Sequence, residues 1–457
     1  MVEPATTERF KPDDVWPREK VISVSNELAA RPACKGVQRE DIFRLSALGL
    51  DWDIGVQVHE PADGKINTGA DGKKVGVFLL HGGAGDFKSM ERLATLFVEK
   101  FRYKVVVMTF PGRLYLDDPS RDWPGDTIKE DGTVRTPIWL AGEYVTPDQY
   151  ELVRDPAKRM KYGVRTHARA KPGTRFYDRM AAWPVAFEEG MKEACRRHFP
   201  QDEYSIYVHG HSTGGPYVSM LTQRVPNIAG VLAIENSTFG YINERKHQWG
   251  GHVGKIEGYE AVATKTTESW QDPFNDLYIR TWRDLARYRG PEALGQEGPN
   301  ALMRLPWLME EILDAWDVAK KRPQFKAEYM ITHNIVGALE NAARVCAKRL
   351  GMSATDEQKL VDHYIGYTRE LSGPGVKPVP PYLFVIAKDS RDHNPEVYRD
   401  VILPMFAQMK PAPRTHVTRF MAGVHTYTKP EQDLPMGIAP AAAHYFNEAI
   451  TGGYFVV

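Results

Sequence analysis

Tyr204-Ser205-Ile206-Tyr207-Val208-His209-Gly210-His211-Ser212-Thr213-Gly214-Gly215-Pro216 is the stretch on which the fold turns. Residues 205–208 read as a short buried strand, and the pattern from 214 to 224 reads as a helix. Between them Gly210-His211-Ser212-Thr213-Gly214 makes a Gly-x-Ser-x-Gly turn. Small residues are needed on both sides of the serine, because its backbone is strained and neighbouring side chains would collide with strand and helix. Such a turn lifts the hydroxyl of Ser212 above the sheet at a helix N-terminus, where free N–H groups favour developing negative charge. The pentapeptide alone is common, and its weight comes from the strand before it, the helix after it and two further motifs.

On either side of this stretch, residues 75–80, 103–110 and 231–234 are apolar on both faces and are expected as buried parallel strands. Helical patterns at 89–100 and 177–198 alternate with them, which predicts an α/β fold with a mostly parallel central sheet flanked by helices. Residues 43–48 and 52–59, divided by Gly49, alternate apolar and polar and predict an antiparallel pair near a sheet edge. Residues 1–40, polar and Pro-rich, are expected to form an N-terminal arm whose role is not legible. The core is assigned to 41–238 and 376–457, interrupted by a polar, Arg-rich insert at about 112–175. The β-α rhythm stops at 239–375, where helical patterns predict an inserted lid; strands resume at 382–387 and 416–421, before a last helix at 439–450.

Directly after the strand at 75–80 comes His81-Gly82-Gly83-Ala84-Gly85. Glycines there let backbone N–H groups approach a substrate oxygen, so Gly83, or its neighbour Ala84, and Thr213 are the expected two donors of an oxyanion hole. His81 is expected to bond within the loop. After the final strand, Met421-Ala422-Gly423-Val424-His425-Thr426-Tyr427 sits in a loop before the last helix. Of the 14 histidines, His425 is the one with this placement near the C-terminus, and it is the candidate general base. His209 ends the strand and His211 occupies the variable position of the turn, and neither is assigned a part in the chemistry. A carboxylate must orient the imidazole, and two places supply one. Glu235 ends the strand at 231–234, where an unpaired charge would be costly. Asp389 and Asp392 follow the strand at 382–387. All three stay open.

These residues together resemble the α/β-hydrolase superfamily, serine esterases and lipases in particular, through His81-Gly82-Gly83, Gly210-His211-Ser212-Thr213-Gly214 and Gly423-Val424-His425. The match spans roughly half the chain and reaches no closer subfamily. The Gly-His-Ser-Thr-Gly-Gly run is also similar to that of cofactor-free haloperoxidases and arylesterases, which are much shorter. The resemblance implies a Ser, acid, His order along the chain and an acyl-enzyme route to cleavage of an ester or amide. The usual place of the acid is after the penultimate strand, whereas haloalkane dehalogenases and certain esterases take it from the earlier strand, so the family does not choose among the three carboxylates. The serine excludes the aspartate chemistry of dehalogenases and epoxide hydrolases. Acyl transfer or thioester cleavage on the same residues, and a catalytically silent ligand receptor, are the alternatives.

The resemblance implies a small-molecule ester or amide substrate, and the bulk properties bear on the other partners. Of 457 residues 42% are hydrophobic, enough for a large core, and Lys plus Arg equals Asp plus Glu at 59 each, so no global field favours nucleic acid. The three cysteines, Cys34, Cys195 and Cys346, form no Cys-x-x-Cys pair, which argues against a disulfide framework or thiolate metal site. No cofactor and no metal are expected, since the glycine loop lacks the Lys-Ser/Thr ending of a phosphate-binding loop. No stretch approaches the roughly 18 apolar residues of a membrane helix, and the first residues lack a basic-then-apolar leader. A cytoplasmic protein without membrane contact is expected, with a homo-oligomer allowed. In the lid, Trp270, Phe274, Tyr278, Trp282, Trp307, Leu308 and Trp316 are read mainly as lid core, some of them lining an acyl or aromatic pocket.

Overall fold

A computed structural model describes residues 12–82, 86–115, 138–160, 163–212, 214–222, 224–236, 318, 321–326, 353–359, 378–390, 398, 403–408 and 411–457. Among them, nine strands form one sheet. In chain order these are β1 (Asp14–Trp16), β2 (Gly36–Ala47), β3 (Leu50–Pro61), β4 (Lys74–Leu80), β5 (Lys104–Met108), and then, after a separate pair β6 (Tyr150–Met160) and β7 (Gly163–Ala170), β8 (Tyr204–Gly210), β9 (Ile228–Ile234), β10 (Tyr382–Ile386) and β11 (Thr415–Phe420). The helices are α1 (Arg18–Ala30), α2 (Glu91–Phe101), α3 (Arg175–His198), α4 (Gly215–Leu221), α5 (Leu403–Gln408) and α6 (Ala439–Thr451).

Across the sheet the order is β1-β11-β10-β9-β8-β4-β5-β3-β2. Every pair from β1 to β5 is parallel, and β5-β3 and β3-β2 are antiparallel. This is the expected α/β-hydrolase architecture. From β4 the chain steps to β5 on one side and later returns to β8 on the other. The order therefore reverses at β4, and open α/β sheets bind ligands outside the carboxyl ends of the strands at such a point. His81 follows β4 and Ser212 follows β8, so both motifs leave the sheet at the switch.

The strands at the centre have no wet face. All seven residues of β8 are buried, as are six of the seven in β4. On one side Phe78, Leu80 and Val208 pack with Trp183, Phe187 and Tyr217; on the other Val75, Val77 and Leu79 meet Leu93, Phe97 and Phe446. Helix α2 shows why its face is apolar: Leu93, Ala94, Leu96, Phe97, Val98 and Phe101 are buried, and Arg102 closes it in the left-handed region at φ 57°. Burial of each such side chain contributes about 1.5–3 kcal/mol relative to exposure.

The antiparallel pair expected near the edge is β2-β3, joined through Leu48 (φ 51°) and Gly49 (φ 76°). Both strands are longer than their alternating stretches. The first half of β2 is mostly exposed on both faces, so it carries no alternation to read. Within residues 1–40, β1 adds to the far edge of the sheet along β11, and α1 packs beside α6. The Arg-rich insert contains the β6-β7 pair, with a register shift between Asp155 and Arg159. Most of 239–375, including the seven named lid residues, lies outside the described residues. Of that insert, residues 321–326 dock on the core: Arg322 donates to the Leu48 carbonyl at 2.9 Å and pairs with Asp178 at 3.0 Å, and Phe325 packs against the apolar cluster.

Candidate active site

Ser212 sits in the strained turn that its motif requires. Its φ is +48°, a region a non-glycine residue adopts only when the surroundings impose it. The surroundings are main chain. The Ser212 N–H donates to the Glu235 carbonyl at 2.8 Å, the Gly215 N–H donates to the Ser212 carbonyl at 2.9 Å, and the Gly214 N–H donates to the His211 carbonyl at 2.8 Å. A Cβ on Gly210 would lie 2.3 Å from the Gly214 carbonyl oxygen, and one on Gly214 would lie 2.5 Å from the His81 carbonyl oxygen. The two glycines are therefore demanded by backbone passing backbone, and the second contact packs the elbow against the loop after β4.

In that loop His81 is fully buried and stacked on Phe110 with ring centroids 4.0 Å apart. The Phe110 N–H donates to His81 Nε2 at 3.2 Å, so Nδ1 is the protonated nitrogen, donating to the Gly82 carbonyl at 2.6 Å. Its ring shapes the loop, as expected. Gly83 and Thr213, the expected oxyanion donors, lie outside the described residues, as does Ala84.

Glu235 follows β9 directly, fully buried, with φ +47°. Its carboxylate accepts the Ala387 N–H on Oε1 at 2.8 Å and the Ser390 hydroxyl on Oε2 at 2.5 Å. His425 Nδ1 lies 3.1 Å from the same Oε2. Three donors thus surround a carboxylate that would be expensive to bury alone. Because Ser212 donates to the main-chain oxygen of Glu235, one residue touches both the serine and the histidine. Asp389 behaves differently: its side chain is exposed, and its backbone N–H donates to the Gly423 carbonyl at 3.1 Å. Asp392 is outside the described residues. Of the two described candidates, Glu235 is the one whose carboxylate meets the imidazole.

The loop bearing His425 is held by groups that the sequence did not mark. His211 Nε2 donates to the His425 carbonyl at 3.0 Å, and the two rings lie 4.9 Å apart. His211 was expected only to fill the variable position of the turn, and its contact is with a main-chain oxygen 214 positions away, for which no sequence signal exists. His209 lies buried near the end of β8, with Nδ1 against the Leu232 carbonyl at 2.7 Å and Nε2 against the Tyr427 hydroxyl at 3.2 Å. Burial lowers its pKa to about 4, so it stays neutral near pH 7. Among the described residues no group of three His, Cys, Asp or Glu side chains is placed to hold a metal ion, and no helix is long and apolar enough to cross a membrane.

No protein-family model matches the chain, and no curated protein matches it. Solved structures align with it over most of its length at low identity. A thioesterase domain from the curacin biosynthetic pathway is 12% identical, over 90% of this chain and 99% of that one, with a TM-score of 0.33. S-formylglutathione hydrolase from Staphylococcus aureus is 11% identical, over 93% and 100%, with a TM-score of 0.34. A peroxisomal α/β-hydrolase from Saccharomyces cerevisiae is 10% identical, over 92% and 90%, with a TM-score of 0.34. The chain's own strand order and parallel connections define its α/β fold.

Proposed function

We propose that the protein is a serine hydrolase that cleaves a carboxylic ester or amide-type bond through an acyl-enzyme. The observation that carries this reading is the chain of contacts running from the Ser212 turn through Glu235 to His425. The Nδ1–H of His425 donates to Glu235 Oε2, which leaves Nε2 as the lone-pair nitrogen. In the first step Nε2 takes the proton of Ser212 Oγ as that oxygen bonds to the substrate carbonyl carbon, and the carbonyl π pair moves onto oxygen. The N–H groups of Gly83 and Thr213 are assigned to hold that oxyanion. Collapse expels the alkoxide or amine with the proton returned by His425, and water repeats the sequence to release the acid. Glu235 fixes the tautomer and stabilises the imidazolium without taking the proton.

The test is turnover of aryl esters, alkyl esters and amides of graded size by the wild type, Ser212→Ala and His425→Ala. Each variant is expected to fold and to lose activity by about 10³-fold or more. Activity retained in either rejects the assignment, and a wild type inert to every class favours a silent receptor.

A further inference from the structure

The segment before β2 has no part in the chemistry proposed above, yet it grips the strand and loop that deliver His425. Strand β1 lies parallel to β11 with Trp16 opposite Phe420, and their rings stack at 4.7 Å. The Trp16 carbonyl accepts the N–H of Met421, the first residue after β11, at 2.9 Å. Two residues on, Arg18 opens α1 and its guanidinium meets Glu431 Oε2 at 2.5 Å. The other carboxylate oxygen, Oε1, accepts the N–H of Gly423 at 2.8 Å.

Gly423 is the hinge of the base loop. Its φ is +81°, and a Cβ there would come within 2.7 Å of Ile438. Its peptide groups are fixed from two sides. The carbonyl accepts from the Asp389 N–H, on the β10 side, and the N–H is taken by Glu431, on the α1 side. Two residues later His425 must keep Nδ1 on a buried carboxylate that cannot move to follow it, since Glu235 is tied to Ala387 and Ser390. A small rotation at Gly423 would therefore be felt in full at the imidazole.

We infer that Glu431, clamped by Arg18 of the N-terminal segment, is a positioning residue for His425, so that residues 12–31 form a working part of the active site. The inference rests on the hydrolase reading. Glu431 touches neither substrate nor the reacting atoms; it sets the main chain from which the base is hung. Misplacement of a reacting group by about 1 Å costs on the order of 10²-fold in rate.

The experiment is steady-state kinetics on the best ester found for the wild type, together with the rate of Ser212 modification by a fluorophosphonate, for Glu431→Ala, Glu431→Gln, Arg18→Gln and Asp433→Asn. Asp433 is a control: it is exposed and lies 4.0 Å from Arg18 but holds no part of the loop. Glu431→Ala is expected to lower kcat by about 30- to 100-fold, with KM within about twofold. Glu431→Gln keeps an acceptor for Gly423 and loses the ion pair, so it should recover to within about tenfold of wild type; Arg18→Gln should match it, and Asp433→Asn should equal wild type. The fluorophosphonate rates should fall in the same order. Should Glu431→Ala fail to fold, Arg18→Gln, at a half-exposed site, carries the test alone. Wild-type kcat in both Glu431 variants and Arg18→Gln, or losses confined to KM or to thermal stability, overturns the inference and leaves the hydrolase intact. A wild type whose Ser212 never reacts overturns both.

Discussion

At Glu235 a left-handed backbone and a fully buried carboxylate coincide, and each has a separate use. The positive φ turns the carbonyl toward the Ser212 N–H, and the side chain turns toward His425. Replacing the carboxylate by an amide keeps the size and the acceptor for Ala387, but it removes the charge that stabilises an imidazolium. Glu235→Gln is accordingly expected to cut kcat by about 10³–10⁴-fold with little change in KM, while Asp389→Asn, which retains its backbone N–H to Gly423, should stay within about threefold of wild type. Kinetics of the two purified variants on one ester check this, and the opposite ranking would move the acid to the β10 loop. The sequence alone left Glu235, Asp389 and Asp392 open for a physical reason. Each follows an apolar run in the sequence, and of the two that are described only the direction and burial of the side chain separate Glu235, which meets His425, from Asp389, which is exposed.

Among the elements, those built from dry apolar runs were legible. Strands β4, β8, β9 and β10 stand within a few residues of their expected bounds, because burial on both faces leaves an unbroken run, and the partly buried β11 and helix α6 match their expected bounds as closely. Strand β1 was not legible: three residues, one of them buried, give no period, and what holds them is pairing with β11. Strands β6 and β7 were hidden likewise by a charged composition. The elbow was readable because its glycines are compulsory. Gly210→Ala must push apart two stretches of main chain, with a Cβ 2.3 Å from the Gly214 oxygen and 2.7 Å from the Gly215 nitrogen. Expected are a loss of about 2–3 kcal/mol in denaturant unfolding and loss of activity. Gly64→Ala is the comparison, at φ +69° with nothing within 4 Å, and there the cost should be about 1 kcal/mol with activity kept. Equal effects at the two sites would remove the packing argument for the elbow.

For the molecule as a whole, two buried histidines tie stability to pH. Burial holds both His59 and His209 at about 4, below their ordinary 6.5. Between those values the unfolded chain binds a proton that the folded chain does not, so stability rises with pH across the window and is lost as pH falls from about 6.5 toward 4. The fall should reach about 2 kcal/mol for each by pH 5, and urea midpoints at pH 7 and pH 5 will measure it. His59→Gln should flatten the slope, whereas an unchanged slope would mean that His59 is charged in the fold or that other groups govern it. The proposed chemistry turns on one hydroxyl made nucleophilic by one imidazole, and covalent labelling reads out that activation. Wild-type protein treated with a fluorophosphonate should gain a single adduct, mapped by peptide mass spectrometry to Ser212, and His425→Ala should label far more slowly. A wild type without an adduct on Ser212, or a His425→Ala variant that labels at the wild-type rate, would contradict it.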